Sequence, residues 1–224
     1  MAIWQLAMAM AASVVCLGGA PAGQGSGPAR GKEVVLFNGR DLSGWTHYLV
    51  EPDLPADRVW TVDRASKVLI CKGQPIGYIR TVKDYTNYIL KLEWRFSPVT
   101  KQAGNSGVLL RVVGEDKVWP KSVEAQLMSG NAGDIWLIDG ARLTTPPDRV
   151  EGRRCKAERY NEKPIGEWNQ YEITVDGGRI SLKVNGMLVN EGTDAEVVPG
   201  KIALQSEGAE IHFRNIRLIP LASR

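Results

Sequence analysis

The sequence contains few of the residues that most often mark a metal centre or a nucleic-acid-binding surface. It has two histidines and three cysteines. His47 and His212 are far apart in the chain, so no zinc site is expected. The formal net charge is +3, with no basic run and no interleaving of basic and aromatic residues. We therefore expect no nucleic-acid partner.

A convincing helical period is also missing. Apolar residues instead recur at every second position in short runs, which is the pattern of half-buried β-strands. The clearest run covers residues 88–96, in which Leu90, Leu92 and Trp94 share one face. With about a dozen such runs between residues 34 and 221, the sequence predicts a single all-β domain, a β-sandwich.

The N-terminal segment is almost wholly apolar over residues 3–17 and is followed by small residues. It is too short for a comfortable membrane span, and it is typical of a signal peptide. We expect residues 1–22 to be an export signal cleaved near Ala20 or Ala22, and residues 23–33 to be a flexible segment before the domain. The predicted location is periplasmic or extracellular.

The cysteines leave two alternatives. Cys16 suggests a lipoprotein, but Val15 precedes it where a lipid-modification site has a small residue, so lipidation ranks below cleavage. Cys71 and Cys155 remain in the exported domain, where the compartment would allow them to pair. The sequence is equally compatible with two unpaired thiols.

The chemistry is expected in residues 105–128, which are predicted to form two neighbouring strands. Their apolar residues alternate and share one side: Val108, Leu110, Val112, Val123, Ala125 and Leu127. On the opposite side are Arg111, Glu124 and Gln126, which are larger and more polar than contact with water requires. Adjacent strands would bring Arg111 and Glu124 together across the sheet. The alternative is a surface ion pair, worth roughly 0–1 kcal/mol.

Other strands are predicted to add polar residues to the same face. These residues are Glu93, Arg95, Gln205 and Glu207, together with Trp136 and Lys183. Such a face suits a sugar, whose hydroxyls take polar partners and whose C–H face packs on an aromatic plane. Trp45, Trp119 and Trp136 are candidates for that plane, and each could instead pack in the core.

Two segments have unusual compositions. Residues 130–140 are rich in Gly and Asp but contain four consecutive apolar residues, 135–138, which predicts a strand flanked by functional loops. Asn131, Asp134 and Asp139 offer oxygen atoms that could bind calcium. Such loops are also common without any ion, and no other cofactor is indicated. Residues 144–166 form a long polar excursion, which predicts a binding loop or a lid.

Five motifs, taken in order, resemble the 3-keto-disaccharide hydrolase domain family. They read LFNGRDLSGW, GNSGVLLRV, VEAQLM, EWNQYEITVDGGRISLKVNGMLV and GKIALQSEGAEIHFRNIRLIPL. The resemblance runs from Val34 to Leu221, and its specificity lies in the order and spacing of the motifs. It implies a concanavalin A-like jelly roll of two antiparallel sheets with a sugar-binding concave face, in an exported bacterial protein.

The resemblance also implies a reaction, the cleavage of glycosides whose C3 hydroxyl has been oxidised to a ketone. The ketone acidifies the C2 proton, so a carboxylate can remove it and the enolate can expel the anomeric substituent, after which water adds. Glu124 or Glu207 is expected as the base, Arg111 as the cation over the C3 oxygen, and Glu93 as a support for Arg111 or as the acid. The expected substrate-binding residues are Glu93, Arg95, Gln126, Trp136, Lys183 and Gln205.

In one position this chain departs from the family pattern. Many relatives carry His where this chain has Glu207, and a carboxylate titrates lower than an imidazole unless it is buried.

Two rival functions stay open. Direct hydrolysis by two carboxylates is one, although the compact ExDxxE strand of family-sixteen glucanases is absent. A lectin or carbohydrate-binding module is the other, and it would need no proton-transfer group with a perturbed pKa.

Overall fold

The computed structural model describes residues 29–222. The predicted export signal, residues 1–22, lies outside the described residues. Within them, no helix is long and apolar enough to cross a membrane. Helical structure there is confined to two three-residue 3-10 helices, Ala56–Arg58 and Pro147–Arg149.

The described residues form strands connected by turns and loops. The strands are β1 (Val34–Val35), β2 (Trp45–Leu49), β3 (Trp60–Asp63), β4 (Val68–Cys71), β5 (Gly77–Thr81), β6 (Tyr88–Phe96), β7 (Gly107–Val113), β8 (Lys121–Gln126), β9 (Ile135–Ile138), β10 (Val150–Glu151), β11 (Arg154–Cys155), β12 (Asn169–Asp176), β13 (Arg179–Val184), β14 (Met187–Gly192), β15 (Lys201–Ser206) and β16 (Ile211–Pro220).

These strands make two eight-stranded sheets in which all neighbours are antiparallel. Sheet A has the order β14-β13-β12-β6-β16-β4-β3, with β1 also paired to β16. Sheet B has the order β10-β11-β9-β8-β7-β15-β5-β2. The prediction of a concanavalin A-like jelly roll is therefore confirmed.

The hydrophobic core lies between the two sheets. In β6 the alternation in the sequence places Leu90, Leu92 and Trp94 inward, all at most 2% exposed. Burying a large apolar side chain stabilises the fold by roughly 1.5–3 kcal/mol, so this layer is the main source of stability. Trp45 also belongs to the core, where its indole nitrogen donates to the Leu36 carbonyl at 2.7 Å. It is therefore not a sugar-stacking residue.

A β-bulge in β7 corrects the predicted placement of Arg111. The register with β8 shifts between Leu110 and Val113, and Arg111 has a left-handed φ of 53°. Such a bulge redirects a side chain. The residue opposite Glu124 is Leu109, whereas the Arg111 guanidinium donates to the carbonyls of Glu196 (2.6 Å), Gly177 (2.6 Å) and Thr86 (3.4 Å). Arg111 therefore connects the two sheets and does not face Glu124.

Three other predicted site residues, Glu93, Arg95 and Lys183, lie on the outer face of sheet A. Glu93 accepts hydrogen bonds from Arg214 (2.7 Å) and Asn215 (2.8 Å). The Arg95 guanidinium lies 4.4 Å from the centre of the Trp168 ring, and Lys183 pairs with Glu172 at 3.1 Å. The sequence pattern was right that these residues point outward. It could not show that they point out of the opposite sheet.

The two cysteines in the described residues are both buried and unpaired. Cys71 ends β4 in sheet A, and Cys155 ends β11 in sheet B.

Candidate active site

The outer face of sheet B gathers polar residues from four strands, β9, β8, β15 and β5, and β7 lies among them with Gly107 and Leu109. Residues that are directly opposite each other on neighbouring strands point to the same side of the sheet. Four such pairs share this face: Gly107/Gln126, Leu109/Glu124, Glu124/Trp136 and Gln205/Tyr78. At one end of the face is a cavity of about 200 Å³, which we call the site cavity. It is lined by Asn105, Trp119, Glu124, Gln126, Trp136, Ile138, Arg153 and Glu207.

Glu124 lies at the centre of β8 and is only 5% exposed. Within residues 29–222 it has no hydrogen-bond partner. Burial, and to a smaller extent the charge of Glu207, raises the pKa of Glu124 to about 8, and the charge of Arg153 offsets only part of this. Glu124 is therefore mostly protonated at neutral pH and can donate a proton.

Gly107 makes room for Glu124 and Gln205. A Cβ atom at position 107 would lie 2.3 Å from the Oε1 atoms of both Glu124 and Gln205. Any side chain there would displace both groups, so the glycine is needed for space. Both oxygens consequently occupy the space above the Gly107 Cα.

Glu207 immediately follows β15 and lines the same cavity as Glu124. Burial raises the pKa of Glu207 to about 7, although a hydrogen bond from Asn105 works in the opposite direction. Its pKa is thus close to that of an ordinary histidine, about 6.5. Burial thus gives this carboxylate a proton affinity close to that of an imidazole.

Several buried polar atoms around the cavity have no hydrogen-bond partner among the described residues. They are both amide atoms of Gln205, Oδ1 of Asn105 and Nε1 of Trp136. Leaving a buried polar atom unpaired costs about 1–3 kcal/mol, so native proteins seldom do it without a reason. Their grouping beside Glu124 fits a site that is completed by a polar ligand.

Gln126 is only partly available to a ligand. Its Oε1 accepts hydrogen bonds from the backbone nitrogens of Leu127 (2.8 Å) and Met128 (2.9 Å). These bonds hold the chain where β8 ends, and they leave the side-chain NH₂ group without a hydrogen-bond partner among the described residues.

The structure thus brings together five of the predicted site residues, Glu124, Gln126, Trp136, Gln205 and Glu207. Of the predicted aromatic planes, Trp119 and Trp136 line the cavity.

Sequence reasoning missed Asn105 and Arg153. Asn105 is the first residue of the segment 105–128, but a single amide carries no period. Arg153 lies in the turn between β10 and β11, inside the excursion predicted to be a loop or lid. That excursion adds a two-stranded hairpin to the edge of sheet B and thereby carries Arg153 to the cavity.

The oxygen atoms considered for calcium are engaged by groups of the protein itself. Asp134 accepts from Arg154 at 2.6 Å and from the Ala157 backbone nitrogen at 2.7 Å, and Asn131 also accepts from Arg154. Asp139 pairs with Lys117 at 2.6 Å. The contacts of Asp134 and Asn131 with Arg154 anchor the hairpin. Oxygen atoms that already accept from cationic side chains do not fit a cation site.

Comparison with known proteins identifies the family. The model of the 3-keto-alpha-glucoside-1,2-lyase-like domain matches residues 32–219. The chain therefore belongs to this family, as its motifs predicted, and is a carbohydrate-active protein. A search of curated proteins found no match.

Solved structures share the fold at low identity. A putative glycosyl hydrolase from Parabacteroides distasonis is 23% identical with a TM-score of 0.62, covering 85% of this chain and 94% of its own. A β-glucanase from Bacillus licheniformis is 12% identical with a TM-score of 0.55, covering 89% and 100%. The carbohydrate-binding module CBM66 from Bacillus subtilis is also 12% identical, with a TM-score of 0.53, covering 78% and 94%. The same fold thus occurs in enzymes and in a binding module.

Proposed function

We propose that this chain cleaves 3-keto-glycosides by removing the C2 proton, eliminating the substituent at C1 and then adding water. The observation that carries the proposal is the pair of carboxyl groups in the site cavity, Glu124 and Glu207, with pKa values raised to about 8 and about 7. Sugar binding alone would need no such pair, whereas proton transfer near neutral pH does. Membership of the family supports the substrate class.

Burial distinguishes the roles of the two carboxyl groups. Glu124 is almost completely buried and Glu207 only partly, so Glu124 is assigned as the acid that keeps its proton, and Glu207 as the base that carries more of the negative charge. The two groups interact, so they titrate as a coupled pair.

The proposed reaction returns both groups to their starting states. Glu207 takes the C2 proton, and the electron pair forms an enolate with its charge on the C3 oxygen. The C3 carbonyl then re-forms, a C1–C2 double bond appears, and the C1–O bond breaks as Glu124 protonates the leaving oxygen. In the second half, the Glu124 carboxylate takes a proton from the water that adds to C1, and Glu207, whose carboxyl proton has exchanged with solvent in the meantime, returns a proton to C2.

The enolate oxygen needs donors other than Arg111, whose guanidinium is bonded to three carbonyls elsewhere. The unpartnered N–H groups of Trp136 and Gln205 are assigned this role, with Arg153 as the nearby cation. Donors already in place lower the barrier because they need no reorganisation as the charge develops. Trp119 is assigned to the C–H face of the sugar, because it lines the cavity and remains 41% exposed.

The decisive experiment supplies a 3-keto-glucoside and, in parallel, the unoxidised glucoside. We expect release of the aglycone from the first only. In D₂O, the released 3-keto sugar should carry deuterium at C2, since the C2 proton is lost and regained. Product incubated without enzyme controls for spontaneous exchange.

Three results would contradict the proposal. Equal release from both glucosides would indicate direct hydrolysis, as would product that retains hydrogen at C2. Binding of both sugars without release would indicate a lectin.

The proposed roles also predict the pH dependence of kcat/KM. Activity should rise as Glu207 ionises near pH 7 and fall as Glu124 loses its proton near pH 8. A plateau extending well above pH 8 would show that no acid with this pKa takes part.

We also propose that the protein acts after export, which the apolar segment at residues 3–17 supports. N-terminal sequencing of the exported protein should find a start between Pro21 and Gly25. An intact Met1 in a cytoplasmic product would contradict export.

A further inference from the structure

Part of the outer face of sheet B is covered. Tyr78, Leu109 and Ala203 are completely buried, although strand register places them on the same outward side as Glu124 and Gln205. They form a small apolar cluster of their own, separate from the core between the sheets. Residues that cross over this face must shield them from water.

The connection between β7 and β8, residues 114–120, crosses this face. Its Asp116 accepts a hydrogen bond from the Tyr78 hydroxyl at 2.6 Å and pairs with Arg80 at 2.5 Å. Both partners belong to β5, which is two strands away from β7 in the sheet order. The connection therefore reaches over β15 before it returns to β8, and we call it the strap.

The strap carries Trp119 to the site cavity. Trp119 lies three residues after Asp116 and lines the cavity beside Glu124. The strap has a second ion pair, in which Lys117 lies 2.6 Å from Asp139, but both of these side chains are about half exposed. The Asp116 contacts are less exposed, with side-chain exposures of 32% for Asp116 and 19% for Arg80. Charge-assisted hydrogen bonds of this kind are stronger when they are shielded from water.

We infer that Asp116 is a positioning residue, which latches the strap onto Tyr78 and Arg80 and so holds Trp119 against the sugar. The latch remains in place at neutral pH because Tyr78 stays protonated: burial and the neighbouring Asp116 charge both raise its pKa. Asp116 itself does not line the site cavity, so its effect on the substrate passes through Trp119. This inference rests on the proposed function.

The test is a double-mutant cycle of Asp116→Ala and Trp119→Ala, measured with the 3-keto-glucoside. Each single variant should raise KM roughly tenfold, the order expected for one lost aromatic contact, and leave kcat within about twofold. The double variant should be no worse than Trp119→Ala alone. Effects that multiply would overturn the inference, because Asp116 would then act by a route that does not involve Trp119.

Asp84→Ala is the matched control. Asp84 pairs with Lys201 at 2.9 Å at the surface and, among the described residues, has no hydrogen bond or ion pair with the strap, so this variant should leave KM unchanged. A KM increase in this variant equal to that of Asp116→Ala would show that the effect on KM is not specific to the Asp116 contacts and would also overturn the inference.

Amide hydrogen exchange, measured without substrate, tests the Asp116 latch independently of the proposed enzymatic function. The backbone amide of Lys117, which lies against the Tyr78 hydroxyl, should exchange with solvent faster in Asp116→Ala than in the wild type, while the amides of β8 stay protected. Unchanged exchange would overturn the latch, whatever the activity. If the wild type releases nothing from the 3-keto-glucoside but exchange in the strap rises as expected, the latch stands and the proposed function fails.

Discussion

The outer faces of the two sheets carry similar residue types in different surroundings. On sheet A, Glu172 lies between Lys91 (2.9 Å) and Lys183 (3.1 Å). Its partial burial opposes ionisation, but hydrogen bonds from the two lysines outweigh this and lower its pKa. On sheet B, Glu124 has no such donor within the described residues, and burial raises its pKa to about 8. A carboxyl group becomes suited to proton transfer here because it lacks both water and a partner.

Cavity size does not indicate which of the two faces carries the active site. The cavity on sheet A has a volume of about 330 Å³, larger than the 200 Å³ of the site cavity. Its charged lining residues include the Lys91–Glu172–Lys183 group and Glu93, which is paired with Arg214. Paired charges give this cavity little capacity for acid–base chemistry, so the smaller cavity is the better candidate.

The largest expected difference between the faces concerns catalysis. Glu124→Gln keeps the shape of the side chain but removes its exchangeable acid proton. Activity on a 3-keto-glucoside should fall by roughly two to four orders of magnitude, the usual worth of general acid–base catalysis. Glu172→Gln on sheet A is the matched control and should retain wild-type kcat. Normal turnover by Glu124→Gln would move the acid role to another residue.

A second prediction uses Glu207. Glu207→Gln should lose about two orders of magnitude in kcat because an amide cannot take the C2 proton. Glu207→His should recover most of that loss, because burial that raises the pKa of a carboxylate lowers that of an imidazole and so keeps the imidazole neutral and able to take the proton. A dead Glu207→His variant that still binds the sugar would show that a carboxylate is required for a reason other than its pKa.

The two faces should also respond to pH with opposite signs. Glu124 binds its proton more tightly when the chain is folded than when it is unfolded. Its contribution to the free energy of unfolding is therefore lost as pH rises from about 4.5, its unfolded pKa, to about 8, its folded pKa. Glu172, whose pKa is lowered, stabilises the protein above its unfolded value and loses that contribution as pH falls through its folded value.

Urea unfolding at about pH 5 and about pH 8 measures this difference. Glu124→Gln should gain stability relative to the wild type by a few kcal/mol at the higher pH. At the same pH, Glu172→Gln should lose stability. Parallel changes in the two variants would mean that Glu124 is not desolvated in solution.

The smallest effect is expected for the exposed ion pairs of sheet A. Lys183→Met removes one of the two partners of Glu172 at a side chain that is 44% exposed. It should cost at most about 1 kcal/mol of unfolding free energy and leave kcat and KM unchanged. A substantial rise in KM would return Lys183 to the substrate-binding residues and weaken the contrast between the faces.

Much of the site face was predictable from local pattern. Period-two alternation in β8 correctly assigned Glu124 and Gln126 outward and Val123 and Ala125 inward. Alternation in β15 did the same for Gln205. This pattern is readable because successive side chains of any strand point to opposite faces.

The same pattern failed where long-range pairing decides the outcome. Alternation places Glu93 and Lys183 outward but cannot say which sheet each strand joins. That is decided by the pairing of β6 with β12 and β16, and of β13 with β12 and β14. The bulge at Arg111 adds one unpaired residue, after which every later side chain of β7 changes face.

The sequence by itself determined the all-β architecture, the family and the outward position of Glu124 and Gln205, because these depend on local alternation and on the order of motifs. Only the tertiary structure decided that Glu124 and Glu207 share a cavity, that Arg111 is bonded elsewhere and that Asp116 reaches β5. The reason is physical: a carboxyl group's pKa and an arginine's partners depend on the groups that surround them, and these come from residues distant in the chain.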